Sequence, residues 1–138
     1  MKIKKYNEFE QLNEEVKLSG VVKKANIDGF DVYIGRNAEM NDVLTFEIAK
    51  PSDIWMHSAG VPGSHVVIKV GDEYPSIDVI KKAAKLAAEN SKGTGAVKVV
   101  YTEKRNVTKT DKSKVGQVQV DYDKSNFITI NKEKKDWN

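Results

Sequence analysis

An α+β fold, with a mostly antiparallel mixed sheet and two main helices packed on it, is predicted for this chain by three features. Asp28-Gly29 separates two strand-like runs, a strong hairpin signal. Helical spacing of apolar residues marks two segments of the domain, one entered through Asn37 and one through Pro75-Ser76. The elements follow one another as strand, strand, helix, strand, strand, helix and three strands, with no internal repeat.

In order, residues 1–17 form a polar lead-in. Tyr6, Phe9, Leu12 and Val16 recur there at helical spacing, so a short amphipathic helix is expected. A globular domain then spans 18–131, and 132–138 is a charged tail. Residues 18–25 and 30–34 read as the strands of the first hairpin. Gly35-Arg36-Asn37 ends the second strand, and Asn37 suits the N-cap of a helix over about 38–49. Met40, Val43, Leu44 and Ile48 share one face of that helix, and Pro51 stops it. Residues 53–58 and 64–70 are strands around Gly60-Val61-Pro62-Gly63. The helix from Ser76 to about Asn90 has an apolar stripe of Ile77, Ile80, Ala84 and Ala87, with Ala83 and Ala88 beside it. Such small side chains let a helix backbone come close to a sheet. Ser91-Lys92-Gly93 ends it. Residues 96–102, 117–122 and 127–130 are three further strands, the last two expected to pair as a hairpin across 123–126.

Composition bounds the function. With 138 residues, 39% hydrophobic and 31% charged, the chain is an ordinary globular domain with room for a core. No apolar run approaches the roughly 18 residues that span a bilayer, and no apolar stretch follows the basic N-terminus as in a secretory signal. There is no cysteine, which excludes disulfides, thiolate metal sites and cysteine nucleophiles and fits a cytoplasmic protein. The net charge is only +3, but Lys104, Arg105, Lys109, Lys112 and Lys114 face Asp111 alone across 104–114. A local contact with a polyanion accounts for this loop, and so does simple solvation.

The candidate site lies between Gly35 and His65, which holds both histidines of the chain. Alternation along a strand puts Asp53, Trp55 and His57 on one face and Ile54 and Met56 on the other. If the turn centres on Val61, His57 lies opposite His65, Trp55 opposite Val67 and Asp53 opposite Lys69, while Ser58 and Ser64 point to the opposite face. Such a face has several uses. Two histidines are metal ligands if a third ligand joins them, but the nearest carboxylate, Asp53, is two pairs away. Acid–base catalysis needs a nucleophile or paired carboxylate, and none is evident. Nucleic-acid contact would use Trp55 for stacking, the histidines for hydrogen bonds and nearby cations for phosphate. Packing of these groups against one another is the remaining possibility. Gly35-Arg36-Asn37, just before a helix, offers amide groups and a guanidinium to an anion, although an ordinary turn and cap explain the same residues. No P-loop or dinucleotide fingerprint is present.

Landmarks along the chain then carry a resemblance: Val32-Tyr33-Ile34-Gly35-Arg36-Asn37 with Asn41 and Leu44; Asp53-Ile54-Trp55-Met56-His57; and Pro62-Gly63-Ser64-His65-Val66-Val67-Ile68. Ala83-Ala84, Leu86-Ala87-Ala88, Ser91-Lys92, Val99-Val100-Tyr101-Thr102, Val107-Thr108-Lys109 and Val115-Gly116-Gln117-Val118 follow in order. From about Leu18 to Ile130 the chain resembles the NFACT-R domain, the RNA-binding module of NFACT and NEMF-like proteins of ribosome-associated quality control. The resemblance implies a non-catalytic module without a cofactor that binds tRNA or rRNA, with the large ribosomal subunit as a partner. It carries Arg36, Asn37, Asn41, Asp53, Trp55, His57, His65 and Lys109 over as RNA contacts. Lys104 and Arg105 join them from the basic loop. A standalone form is expected, without the NFACT-N, helix-hairpin-helix and coiled-coil parts of full-length members, so their complete tailing activity is not carried over. The rivals are a small metal protein or enzyme using His57, His65 and Asp53, and a protein-interaction adaptor. If the histidines are buried, their charge state is expected to make binding pH-sensitive near neutrality. Separately, Lys4 to Glu14 is similar to the capsid-targeting peptides of some tailed phages, which are cut after a glutamate; the short helix explains the same residues.

Overall fold

The first hairpin forms where its turn chemistry demands. Strands β1 (Val22–Ile27) and β2 (Phe30–Gly35) pair with Ala25 opposite Val32 and Ile27 opposite Phe30. Asp28 and Gly29 both take positive φ, 51° and 94°, which matches the right-handed twist of the strands. The structure is a computed structural model and describes residues 18–132, so the expected N-terminal helix and the tail beyond residue 132 lie outside the described residues. Residues 18–21 are helical, not the start of β1. The reason is the partner strand: Val22 pairs with Gly35, where β2 ends, and residues 18–21 are met instead by Arg36, through its N–H on the Val21 carbonyl and its side chain on the Ser19 carbonyl.

Asn37 caps helix α1 (Ala38–Val43), its side-chain oxygen accepting from the Met40 N–H at 2.9 Å. The expected single helix to 49 instead continues as a π-helical turn, Leu44–Ile48, closed by the Ala49 N–H on the Leu44 carbonyl. The widened turn brings the neighbours Leu44 and Thr45 both inward, and both are fully buried. Strand β3 (Ile54–Ser58) follows, then β4, which is limited to Val66–Ile68 instead of the expected 64–70. Helix α2 (Ile77–Glu89) is capped by the Ser76 hydroxyl accepting from the Val79 N–H. Its buried face runs through Val79, Ile80, Ala83, Ala84, Ala87 and Ala88, while Ile77, expected in the stripe, is half exposed at the first turn.

Strands β5 (Ala96–Glu103) and β8 (Asn126–Asn131) complete a six-stranded sheet of order β1-β2-β4-β3-β5-β8. The α+β class holds, and every strand pairing among the described residues is antiparallel, so the sheet is not mixed. The last hairpin is corrected. Strand β7 shrinks to Gln119–Val120 and pairs with β6 (Val107–Thr108), a strand that periodicity did not reveal; the two form a separate small sheet. Asp121 caps a 3-10 turn at Tyr122–Lys124, and β8 then pairs with β5. That choice carries Ile128 and Ile130 onto the core beside Val97 and Val99, a gain that the two-residue β7 does not offer.

The sheet has two unlike faces. One is sealed by α2, whose alanines meet Val32, Ile54, Met56, Val66, Ile68 and Val99. The other carries Tyr33, Trp55, Val67 and Val100 under Leu44 and Val107. Its cover is a short helix, a π turn and a loop, and polar groups collect beneath it.

Candidate functional site

Alternation places Trp55, His57, His65 and Val67 on the face away from α2. The register is the expected one, with Trp55 opposite Val67 and Met56 opposite Val66. It brings the His57 and His65 rings to 5.2 Å, nearly edge to face, and sets the Trp55 and His65 rings 5.1 Å apart. Ser58 points the other way and donates to the Ala87 carbonyl of α2 at 3.2 Å.

Beneath the π turn these groups form a directed hydrogen-bond chain. The Trp55 indole N–H donates to Thr45 Oγ1 at 3.1 Å. Thr45 Oγ1 lies 2.8 Å from His65 Nδ1. The indole is a donor only, so the threonine hydroxyl accepts there and can give its proton to Nδ1. That leaves a neutral His65 ring protonated on Nε2, and the backbone of Gly116 hydrogen-bonds the ring. Burial, with His57 alongside, pushes the His65 pKa down to about 3. Burial also lowers His57, against a backbone hydrogen bond at Gly63. His65 is therefore neutral throughout the physiological range, which corrects the expectation that its charge would switch near neutrality.

The surrounding polar residues also turn inward. Asn41 Oδ1 accepts from the His65 N–H at 3.0 Å, and its amide reaches the Gly63 carbonyl at 3.4 Å. A Cβ on Gly35 would lie 1.9 Å from that Asn41 oxygen, so only glycine fits there. Asp53, fully buried, accepts from the Lys50 and Val70 N–H groups, both at 2.8 Å, and pairs with Lys69 as the register predicted.

Several expected RNA contacts are thus committed to the fold. Asn41, Asp53, Trp55 and His65 are buried. A buried indole offers no face to a base, so the stacking role expected of Trp55 is not open to it in this structure. Lys109 does not project from the basic loop: its ammonium donates to Asp42 at 3.0 Å and to the carbonyls of Lys114 and Gln117 at 2.5 and 2.9 Å. The lysine gathers the 109–117 loop around itself and holds it to α1. Gly116, at φ 79°, donates to the same Asp42 carboxylate at 3.0 Å. Lys104 lies over the Phe46 ring, 5.4 Å from its centroid, and Arg105 pairs with Glu103 at 2.9 Å. Arg36 is exposed and donates from Nε to the Ser19 carbonyl at 2.6 Å, with Asn37 exposed beside it.

What stays open is a cleft of about 880 Å³ between the β3–β4 turn, the C-terminal end of α2 and residues 115–118. His57, half buried, lines it together with Asn37, Lys92, Gln117, Val118 and Tyr122. Tyr122 drew no attention as a site residue in the sequence. It closes the expected strand 117–122 and continues the alternation of Val118 and Val120, so nothing in the sequence set it apart from a strand residue. Among the described residues no group of three His, Cys, Asp or Glu side chains is placed to hold a metal ion, so the histidine pair lacks the third ligand. No helix among them is long and apolar enough to cross a membrane.

The sheet is thus sealed on one face by α2 and carries on the other a polar cleft with Lys92 in its lining. The family model of the NFACT protein RNA binding domain matches residues 21–122, and the chain belongs to that family. The chain is 37% identical over 103 residues to the Rqc2 homolog RqcH of Bacillus subtilis (strain 168), a match covering 73% of this chain and 18% of that protein. It is 36% identical over 105 residues to the Rqc2 homolog RqcH of Streptococcus suis (strain 05ZYH33), covering 75% and 19%. The chain thus matches less than one fifth of the length of these relatives. Among solved structures it is similar to the C-terminal part of the fibronectin/fibrinogen-binding protein from Streptococcus suis. There the TM-score is 0.72 and the identity 30%, over 95% of this chain and 48% of that one.

Proposed function

We propose that this protein is a non-catalytic RNA-binding module that contacts tRNA or rRNA in a cytoplasmic, ribosome-associated quality-control role, with the large ribosomal subunit as its partner. The observation that carries the reading is membership of the NFACT RNA binding domain family across residues 21–122. The geometry is compatible with it. Arg36 stands exposed beside the cleft residue Asn37, and Lys92 stands at the cleft rim. Lys104 and Arg105 add positive charge beyond it. Their task is to neutralise phosphate, and His57, whose pKa burial lowers, supplies hydrogen bonds to a base or ribose. Lys109 contributes through the loop it holds together.

The test is binding of purified protein to tRNA and to a structured rRNA fragment across a salt series, beside an Arg36→Ala, Lys92→Ala variant. Affinity should fall with salt, and the variant should shift the log–log slope by about 1 for each phosphate contact it removes. No binding at low salt would reject the reading. The protein-docking alternative draws on one observation, the fibronectin/fibrinogen-binding name of the similar Streptococcus suis chain. Salt-insensitive association with a protein partner, without RNA binding, would favour it.

A further inference from the structure

Trp55 is buried, yet the same face of the sheet does present aromatic surface, at one edge. Strand β8 is the last strand of the sheet among the described residues. Its Phe127 lies opposite Val100 on β5, and Val100 lies opposite His57 on β3. His57, Val100 and Phe127 therefore form one row across the sheet on the face away from α2, and Phe127 stands two strand spacings, about 10 Å, from the cleft histidine. Tyr122, from the turn before β8, stacks on Phe127 with ring centroids 6.0 Å apart and planes 7° from parallel. Lys98 sits over the Phe127 ring, 5.3 Å from its centroid. Tyr122 is 56% exposed and Phe127 45%.

A stacked pair of exposed rings is costly on the surface of a small domain unless something covers it. Three observations say what. Tyr122 also lines the cleft, so the rings continue that site. It lines a second groove of about 640 Å³ as well, together with Arg105, Asn106 and Lys124. Lys98 and Lys124 place cations beside the rings, the arrangement that tracks a phosphate backbone while bases stack. Asp121 and Asp123 belong to the same turn: Asp121 is occupied as its cap, and Asp123 adds a local negative charge. Attraction at this end therefore comes chiefly from stacking.

We propose that Tyr122, supported by Phe127, is the base-stacking platform of this protein, and that its ligand is a short run of unpaired nucleotides leading from the β8 edge into the cleft at His57. Phe127 is engaged by Tyr122 and Lys98, so Tyr122, the more exposed ring, receives the base. A duplex does not fit this role, because its bases are already stacked on one another. The inference rests on the RNA-binding reading above and narrows it to single-stranded segments.

The experiment is fluorescence anisotropy with a labelled single-stranded hexanucleotide and with a perfect duplex of the same strand. Wild type is compared with Tyr122→Ala, Tyr122→Trp and Arg36→Ala, each checked for folding by circular dichroism. Tyr122→Ala should weaken single-strand binding about tenfold at every salt concentration and leave the duplex unchanged, and Tyr122→Trp should retain wild-type affinity. If Tyr122→Ala binds the single strand as wild type does while Arg36→Ala is weakened, the platform is overturned and the RNA reading stands. If wild type binds no RNA at low salt, both are overturned. Sedimentation showing a dimer that Tyr122→Ala disperses would also overturn the proposal, assigning the rings to a second copy of the chain.

Discussion

Trp55 and Tyr122 lie on the same side of one sheet and have opposite fates. Trp55 is on a central strand, beneath the π turn, with no exposed surface and its one N–H satisfied by Thr45. Tyr122 is on a turn beside the edge strand, with more than half of its surface open and its stacking partner Phe127 somewhat less exposed. Both rings belong to residue types that favour binding surfaces. The difference shows that the role of an aromatic residue is set by what the chain lays over it. At the centre of this face, α1 and the π turn close the space. At the edge, beyond β5, no described element of the structure does.

That contrast can be tested in four ways, the largest expected effect first. The buried centre should make stability acid-sensitive. An unfolded histidine titrates near about 6.5, whereas His65 in the fold stays neutral down to about 3. Between those values the unfolded state takes up a proton that the folded state refuses. Stability is therefore complete above the unfolded pKa and is lost as the pH falls, by about 1.4 kcal/mol for each unit once below it and a few kcal/mol in all. Urea titrations at successive pH values, with NMR of the imidazole protons, will check this; an imidazolium signal for His65 at pH 6 would refute it. Near and above neutrality RNA affinity should show no step from His65.

Next in size is Asp53→Ala. It strips a fully buried carboxylate from Lys69 and from the Lys50 and Val70 N–H groups, and should cost about 3 kcal/mol in urea-unfolding free energy. A loss below 1 kcal/mol would mean that Lys69 and the two amides find solvent easily, and that the centre is less closed than described.

Trp55→Phe is smaller. It removes the donor to Thr45 and part of a packed ring, for about 1–2 kcal/mol, and should leave RNA affinity unchanged in folded protein. A fall in RNA affinity without a fall in stability would restore the stacking role to Trp55 and erase the contrast.

Smallest in stability is Tyr122→Ala, which should move the unfolding midpoint by no more than about 0.5 kcal/mol, as for other exposed sites. Together the two aromatic substitutions should separate cleanly, one acting on stability and the other on RNA.

Much of this was legible in the chain because it is decided locally. Asp28-Gly29 can only turn one way between two strands, Asn37 and Ser76 carry oxygens at the right place to cap helices, and strand alternation with a turn at Val61 is enough to put His57 against His65 and Asp53 against Lys69. Family membership was legible too, since it rests on residues and their order.

The tertiary structure alone decided which of these residues are hidden. Burial of Trp55, Asp53 and His65 depends on α1 and the π turn closing over the sheet, and the inward course of Lys109 depends on Asp42, 67 positions away. The partner of β8 was likewise a contest between β7, its neighbour in sequence, and β5, which alone brings Ile128 and Ile130 to the core. Alternation states that a side chain lies on a given face, but not what covers that face, because the cover is supplied by segments far along the chain and their contacts are settled only when the whole domain has closed.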